Sequence, residues 1–172
     1  MKKGRVYWIT GLSGAGKTTI GDLLYERLSE EKENLIRLDG DNLRTIFKCS
    51  DYSSRGRIDV GFQYSALCKL LSDQGIDVVI STICMYDQIR DWNRTNIIDY
   101  FEIYLKVGIE ELIRRDQKGL YTGALNGQIK DVMGINMDFE EPKHADIVIV
   151  NDGRQSPEEV CKNIIDQIRR DW

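Results

Sequence analysis

One short stretch constrains this chain more than any other. Gly11-Leu12-Ser13-Gly14-Ala15-Gly16-Lys17-Thr18 fits G-x-x-x-x-G-K-[ST]. It follows the apolar run 5–10, which reads as a buried strand. It precedes a stretch, 17–31, that puts Ile20, Leu23, Leu24 and Leu28 on one helical face. Strand, glycine turn and helix are the context in which the motif carries meaning. Glycines let backbone N–H groups converge on phosphate oxygens with no Cβ in the way, and the helix start adds a fixed positive field. Lys17 supplies a point charge for the β- and γ-phosphates, and the Thr18 hydroxyl is placed to ligate Mg²⁺. Gly11 through Thr18, with Thr19, is therefore the expected ATP site. A dinucleotide-binding turn fits less well, because Thr19 stands where its third glycine belongs.

The remaining apolar runs alternate with helical patterns, which predicts a parallel sheet covered by helices. Leu35, Ile36 and Leu38 form a short strand ending at Asp39. A helix covers 58–74, and 76–80 reads as a central strand. Another strand carries Phe101, Ile103 and Leu105, and a helix follows at about 109–115. The last strand is 147–150, and Pro157 opens a final helix to about residue 170. The fold class expected is α/β, a three-layer P-loop NTPase fold with a parallel five-stranded sheet and helices on both faces. It forms a single domain, 1–172. Segment 116–141 has four glycines and no long periodicity. A loop of that length inside a compact domain is usually functional, and it is expected to be a lid with one short helix.

Composition narrows the partners. Lys plus Arg is 24 against 28 Asp plus Glu, a net charge of −4. Such a balance attracts neither a nucleic-acid polymer nor an anionic membrane over long range. No apolar run is long enough to span a bilayer. Residues 1–4 lead into a strand and not into a secretion signal. The four cysteines, Cys49, Cys68, Cys84 and Cys161, are too scattered for a disulfide framework or a CxxC-type zinc site. A reducing, cytoplasmic setting is expected.

The second chemical feature is Asp39-Gly40-Asp41-Asn42-Leu43-Arg44, at the carboxyl end of the second strand. In open α/β sheets that edge faces the ligand crevice. Either aspartate alone is also an ordinary helix cap. Beside a phosphate cradle, one is suited to hold Mg²⁺ or its water, and the other to take a proton from an acceptor hydroxyl. Arg44, one turn along a new helix, is suited to grip an anionic acceptor.

These motifs, with Asp116-Gln117-Lys118-Gly119-Leu120-Tyr121, Gly127-Gln128-Ile129-Lys130 and Gly134-Ile135, resemble the adenylylsulfate kinase family. The resemblance runs in order to about Glu140-Glu141-Pro142. It implies transfer of the γ-phosphoryl of Mg-ATP to the ribose 3′-hydroxyl of a small anionic nucleotide such as adenosine 5′-phosphosulfate, and it suggests a homodimer. By position, Asp41 handles the acceptor hydroxyl together with the Lys17 charge, and Thr18 and Asp39 serve the metal. Arg44 and Arg57, with Asp39 and Ile83, belong to the acceptor site, and Lys118, Gly119 and Leu120 close over it.

The departures from the family pattern cluster on the acceptor side. Val60, Phe62 and Gln63 replace an asparagine and basic side chains. Thr82-Ile83-Cys84-Met85 replaces Phe-Ile-Ser-Pro, so the serine that some members phosphorylate is Cys84. Thr122-Gly123 replaces lysines. Val132-Met133 stands where the family stacks a Phe on adenine, a contact typically worth ~1 to 3 kcal/mol. A cytidine-nucleotide acceptor, as in relatives that phosphorylate cytidine diphosphoramidate, is the alternative reading. A nucleotide-dependent switch is a further one, but N-K-x-D is absent, and the D-x-x-G strings at Asp116 and Asp131 lie in the lid. A sugar acceptor fits the two arginines less well.

Other residues carry weaker signals. His144, the only histidine, reads as a surface group or one that supports a site from behind, and not as the base. Trp8 reads as core, and Trp92 as core or a lid contact. Tyr52 is either an acceptor contact or a packed loop aromatic. Arg114-Arg115 either complements a helix dipole or reaches ATP phosphates.

Overall fold

The computed structural model describes residues 2–116 and 119–171. Five parallel strands form one sheet: β1 (Val6–Thr10), β2 (Leu35–Asp39), β3 (Asp77–Thr82), β4 (Tyr100–Lys106) and β5 (Ile147–Val150), in spatial order β2-β3-β1-β4-β5. Every residue of β1 is buried, as expected for a parallel strand covered on both faces. The 76–80 run is the interior strand β3, but the middle position belongs to β1, whose Trp8 pairs in register with Ile80 on one side and Glu102 on the other. At the β5 edge the pattern alternates. Ile147 and Ile149 are buried and Val148 and Val150 are exposed.

Helices cover both faces. α1 (Lys17–Ser29) buries Ile20, Leu24 and Leu28 and packs against α7 (Pro157–Ile168). α7 starts on a capping box in which Ser156 and Glu159 each hold the other's backbone N–H, with Pro157 at the first helical position. The other principal helices are α2 (Gly40–Ile46), α3 (Ser54–Asp73), α4 (Asp87–Asn96) and α5 (Ile109–Arg115). α3 begins four residues earlier than its apolar pattern predicts, because the Ser53 side chain caps it by accepting from the Gly56 N–H at 3.2 Å. Arg57 therefore sits in a first helical turn. Segment 116–141 contains one short helix, α6 (Leu120–Leu125), and a bridge between Met133 and Met137. Among the described residues no helix is long and apolar enough to cross a membrane.

Candidate active site

A cleft of about 750 Å³ opens at the carboxyl ends of β1, β2 and β3. The glycine turn forms one end. Gly11 passes so close to β4 that a Cβ there would lie 2.6 Å from the Leu105 carbonyl oxygen. Gly16 takes φ +92°, a left-handed conformation suited to glycine. Ser13, Gly14, Gly16, Lys17, Thr18 and Thr19 line the cleft, while Gly11, Leu12 and Ala15 are buried in the turn.

The Lys17 ammonium is buried and donates to the Leu12 carbonyl at 2.7 Å. Burial pushes its pKa down to about 8, against the attraction of Asp41 and then Asp39, which favours the charge. The Thr18 hydroxyl donates to Asp39 Oδ2 at 3.0 Å, and Asp39 Oδ1 accepts the Asp41 N–H at 3.0 Å, capping α2. The two aspartates are therefore inequivalent. Asp39 is half-buried and bonded through both oxygens, whereas Asp41 is exposed at the cleft wall. Thr18 and Asp39 together offer two hard oxygen donors side by side. That fits Mg²⁺, which is ordinarily held by one or two protein oxygens plus phosphate and water. Among the described residues no group of three or more His, Cys, Asp or Glu side chains gathers to hold a metal unaided.

At the other end Arg44, Arg57, Tyr52, Ile83 and Leu120 line the same cleft. Arg44 is buried, donates through Nη1 to the carbonyls of Asp51 (3.0 Å) and Cys49 (3.3 Å), and lies 4.4 Å from the centre of the Tyr52 ring. Arg57 donates to the Tyr52 carbonyl at 2.9 Å and the Asp131 carbonyl at 2.8 Å, and lies 5.4 Å from the same ring. Burial, then the neighbouring Arg44 charge, lowers the Arg57 pKa. Tyr52 thus holds two guanidinium groups against one aromatic ring. Val132 and Met133, both buried, complete this wall with Ile129 and Lys130. Gly119 precedes Leu120 with φ +64° and starts α6. Lys118 lies outside the described residues.

Several supports were not legible in the sequence. Arg37, whose only hint was a charge inside the strand pattern Leu35-Ile36-Arg37-Leu38, lies 3.7 Å from Asp39 Oδ2 and also pairs with Asp22. It donates to the Thr18 carbonyl at 3.3 Å, in space that a Cβ on Gly21 would invade. The Tyr64 hydroxyl donates to the Gly40 carbonyl at 2.8 Å and holds the start of α2. The i, i+2 spacing in one strand puts Arg37 and Asp39 on the same face, but nothing in the spacing announces the reach of Arg37 to Thr18 or of Tyr64 to Gly40. Both paired arginines bind Glu111, and Arg115 alone of the two also reaches the glycine turn, donating to the Gly14 carbonyl at 3.3 Å. His144 is exposed, Trp8 is fully buried, and Trp92 packs edge-on against Phe62. Cys84 is buried, and burial pushes its thiol up to about 12. All four cysteines are free.

The chain is similar to known proteins over most of its length. The family model described as adenylylsulphate kinase matches residues 3–150. The chain is 47% identical over 163 residues to the cytidine diphosphoramidate kinase of Campylobacter jejuni, covering 95% of each protein. It is 38% identical over 161 residues to the adenylyl-sulfate kinase of Picosynechococcus sp., covering 93% of this chain and 91% of that one. The solved APS kinase of Mycobacterium tuberculosis, in complex with AMPPNP and APS, superposes with a TM-score of 0.89 at 30% identity over 98% of this chain and 99% of that one. On this similarity in sequence and fold, the chain belongs to the adenylylsulphate kinase family of ATP-dependent phosphotransferases.

Proposed function

We propose that the chain transfers the γ-phosphoryl group of Mg-ATP to the ribose 3′-hydroxyl of a cytidine nucleotide of the cytidine diphosphoramidate type. The observation that carries this acceptor is the 47% identity, across 95% of both proteins, to a cytidine diphosphoramidate kinase, against 38% for an adenylyl-sulfate kinase. Support comes from the cleft wall. Val132 and Met133 occupy the place where the family's adenine-stacking Phe is expected, and neither offers an aromatic face. This replaces adenosine 5′-phosphosulfate as the leading acceptor.

The roles follow from position. The turn 11–19 binds the triphosphate, and Lys17 neutralises charge building on the transferred group. Thr18 and Asp39 are the residues suited to hold Mg²⁺, which when bound offsets charge on the β- and γ-phosphate oxygens. Asp41, exposed in the cleft and free of the capping duty that Asp39 performs, orients or deprotonates the attacking hydroxyl. Arg44 and Arg57 bind the acceptor's anionic groups, with Ile83 and Leu120 against its body. Segment 116–141, with Lys118, Gly119 and Leu120, closes over it and excludes water. Positioning and electrostatics supply most of the acceleration, as phosphoryl transfer requires little covalent help from the protein.

The test is ADP release with cytidine diphosphoramidate, cytidine diphosphate and adenosine 5′-phosphosulfate assayed side by side. The expected result is the highest kcat/KM on cytidine diphosphoramidate. A preference for adenosine 5′-phosphosulfate would return the chain to sulfate activation.

A further inference from the structure

Carbonyls of the glycine turn are held from outside by side chains of separate elements. The Asn151 amide, just after β5, donates to Ala15 at 2.9 Å. Arg115, at the end of α5, donates to Gly14 at 3.3 Å. The Tyr121 hydroxyl, in α6, donates to Ser13 at 2.7 Å. The first two come from the frame of the sheet and its flanking helix. The third comes from segment 116–141, which also walls the acceptor end of the cleft.

The Tyr121 contact acts on a defined peptide. The Ser13–Gly14 peptide is planar and trans, so its carbonyl and N–H point in opposite directions. Anchoring the carbonyl on Tyr121 turns the Gly14 N–H to the other side. Tyr121 is 2% exposed, and burial pushes its hydroxyl up to about 12, so it stays a proton donor at neutral pH.

The same helix reaches the acceptor end. Leu120, directly before Tyr121, lines the cleft. Gly123 packs so tightly on Ile129, another cleft residue, that a Cβ there would lie 2.6 Å from Ile129 Cδ1. Asp116 pins the start of α6. Its carboxylate accepts the N–H groups of Tyr121 (2.8 Å) and Thr122 (3.3 Å), while its own N–H closes α5 on the Leu112 carbonyl at 2.8 Å. One short helix therefore has a hydroxyl on the phosphate loop and, with Ile129 packed on it, apolar side chains along the same cleft.

We propose that the Tyr121 hydroxyl is a positioning group that couples the two substrate sites: triphosphate bound on the glycine turn orders α6 through the Ser13 carbonyl and tightens the acceptor site, and acceptor tightens the triphosphate site in return. This rests on the reading that the acceptor lies between the two arginines and segment 116–141. The coupling is reciprocal by thermodynamic necessity.

The experiment is equilibrium binding to wild type and Tyr121→Phe, which removes only the oxygen. The probes are Mg²⁺ with a non-hydrolysable ATP analogue, and whichever of cytidine diphosphoramidate and adenosine 5′-phosphosulfate the wild type turns over. In wild type the analogue should tighten acceptor binding by about 5- to 150-fold, the usual span of allosteric coupling. In Tyr121→Phe that ratio should fall toward one. The analogue alone should bind about two- to tenfold more weakly, as befits one lost hydrogen bond, and acceptor alone should bind unchanged. A residue that merely stabilised the fold would lower the melting temperature and leave the ratio intact; that result, or a ratio near one in wild type, overturns the proposal. Should the Phe variant melt below assay temperature, Asp116→Gly, which suits the φ of +26° and removes the carboxylate pin, is expected to lower the same ratio, and an unchanged ratio again overturns it. If neither nucleotide binds wild type, the acceptor reading fails separately. The ATP-analogue arm still decides on Tyr121, and unchanged analogue affinity in the Phe variant counts against it.

Discussion

The Thr18 hydroxyl donates to Asp39 Oδ2 across 3.0 Å, joining the first turn of α1 to the end of β2. The other oxygen of Asp39 caps α2. One carboxylate thus ties the glycine turn to the end of β2 and starts the next helix, and Asp41, two residues on, stays exposed at the cleft wall.

The division between the aspartates predicts two different failures. Asp41→Asn should lower kcat by about 10²- to 10⁴-fold, the usual contribution of a positioned acid–base group. Its stability should stay within about 0.5 kcal/mol of wild type, as for an exposed site. Asp39→Ala should lose activity and also about 1 kcal/mol of stability through the missing cap. Coupled ADP assays and thermal melts on both variants check this. A stable, inactive Asp39→Ala would assign the cap elsewhere.

Lys17→Met should cost about 10²- to 10³-fold or more in turnover, since it removes a preorganised charge at the transferred phosphoryl group. The fold should not suffer. Burial pulls the Lys17 pKa below its value in water, to about 8, so the charged form is less stable in the native protein than in the unfolded chain. An apolar side chain of similar length escapes that cost. The melting temperature is expected at or above wild type, and a large drop would show that the bond to the Leu12 carbonyl outweighs it.

Arg57 lines the cleft and contacts Tyr52 and the Asp131 carbonyl. Arg57→Lys keeps a charge but loses the planar fork that reaches the Tyr52 and Asp131 carbonyls beside the ring. The acceptor KM should rise about tenfold or more, in line with a lost charged hydrogen bond, while the ATP KM stays put. An equal rise in both constants would place Arg57 on the shared path between the sites.

The thiols should react in a set order. Cys68, Cys84 and Cys161 are buried, and burial raises all three pKa values, to about 12 for Cys84 and about 11 for Cys161. At pH 8 they are protonated and shielded. Cys49 is only half-buried, with Sγ 3.7 Å from Gln63 Oε1. Mass spectrometry after brief alkylation of the native protein should find one modified cysteine, Cys49, and four after denaturation. Early labelling of Cys84 would mean that the wall beside Ile83 opens.

Much of this protein is determined locally and was therefore readable along the chain. Burial on both faces makes a parallel strand a continuous apolar run, so β1, β3 and β4 stand out. The phosphate turn is contiguous because its donors are successive backbone N–H groups, and the Asp39–Arg44 run follows a strand end for a similar reason. Only the tertiary structure decided what joins distant positions. Arg37 on Asp22 and the Thr18 carbonyl, Tyr64 on Gly40, Tyr52 against Arg44 and Arg57, and Tyr121 on Ser13 are all side chains meeting backbone, charge or a ring away from their own element. Tyr121 and Ser13 lie 108 residues apart, and no periodicity along a chain encodes a hydrogen bond across that separation. Such contacts arise only when packing of the sheet and its helices brings a hydroxyl or a guanidinium within about 3 Å of its partner.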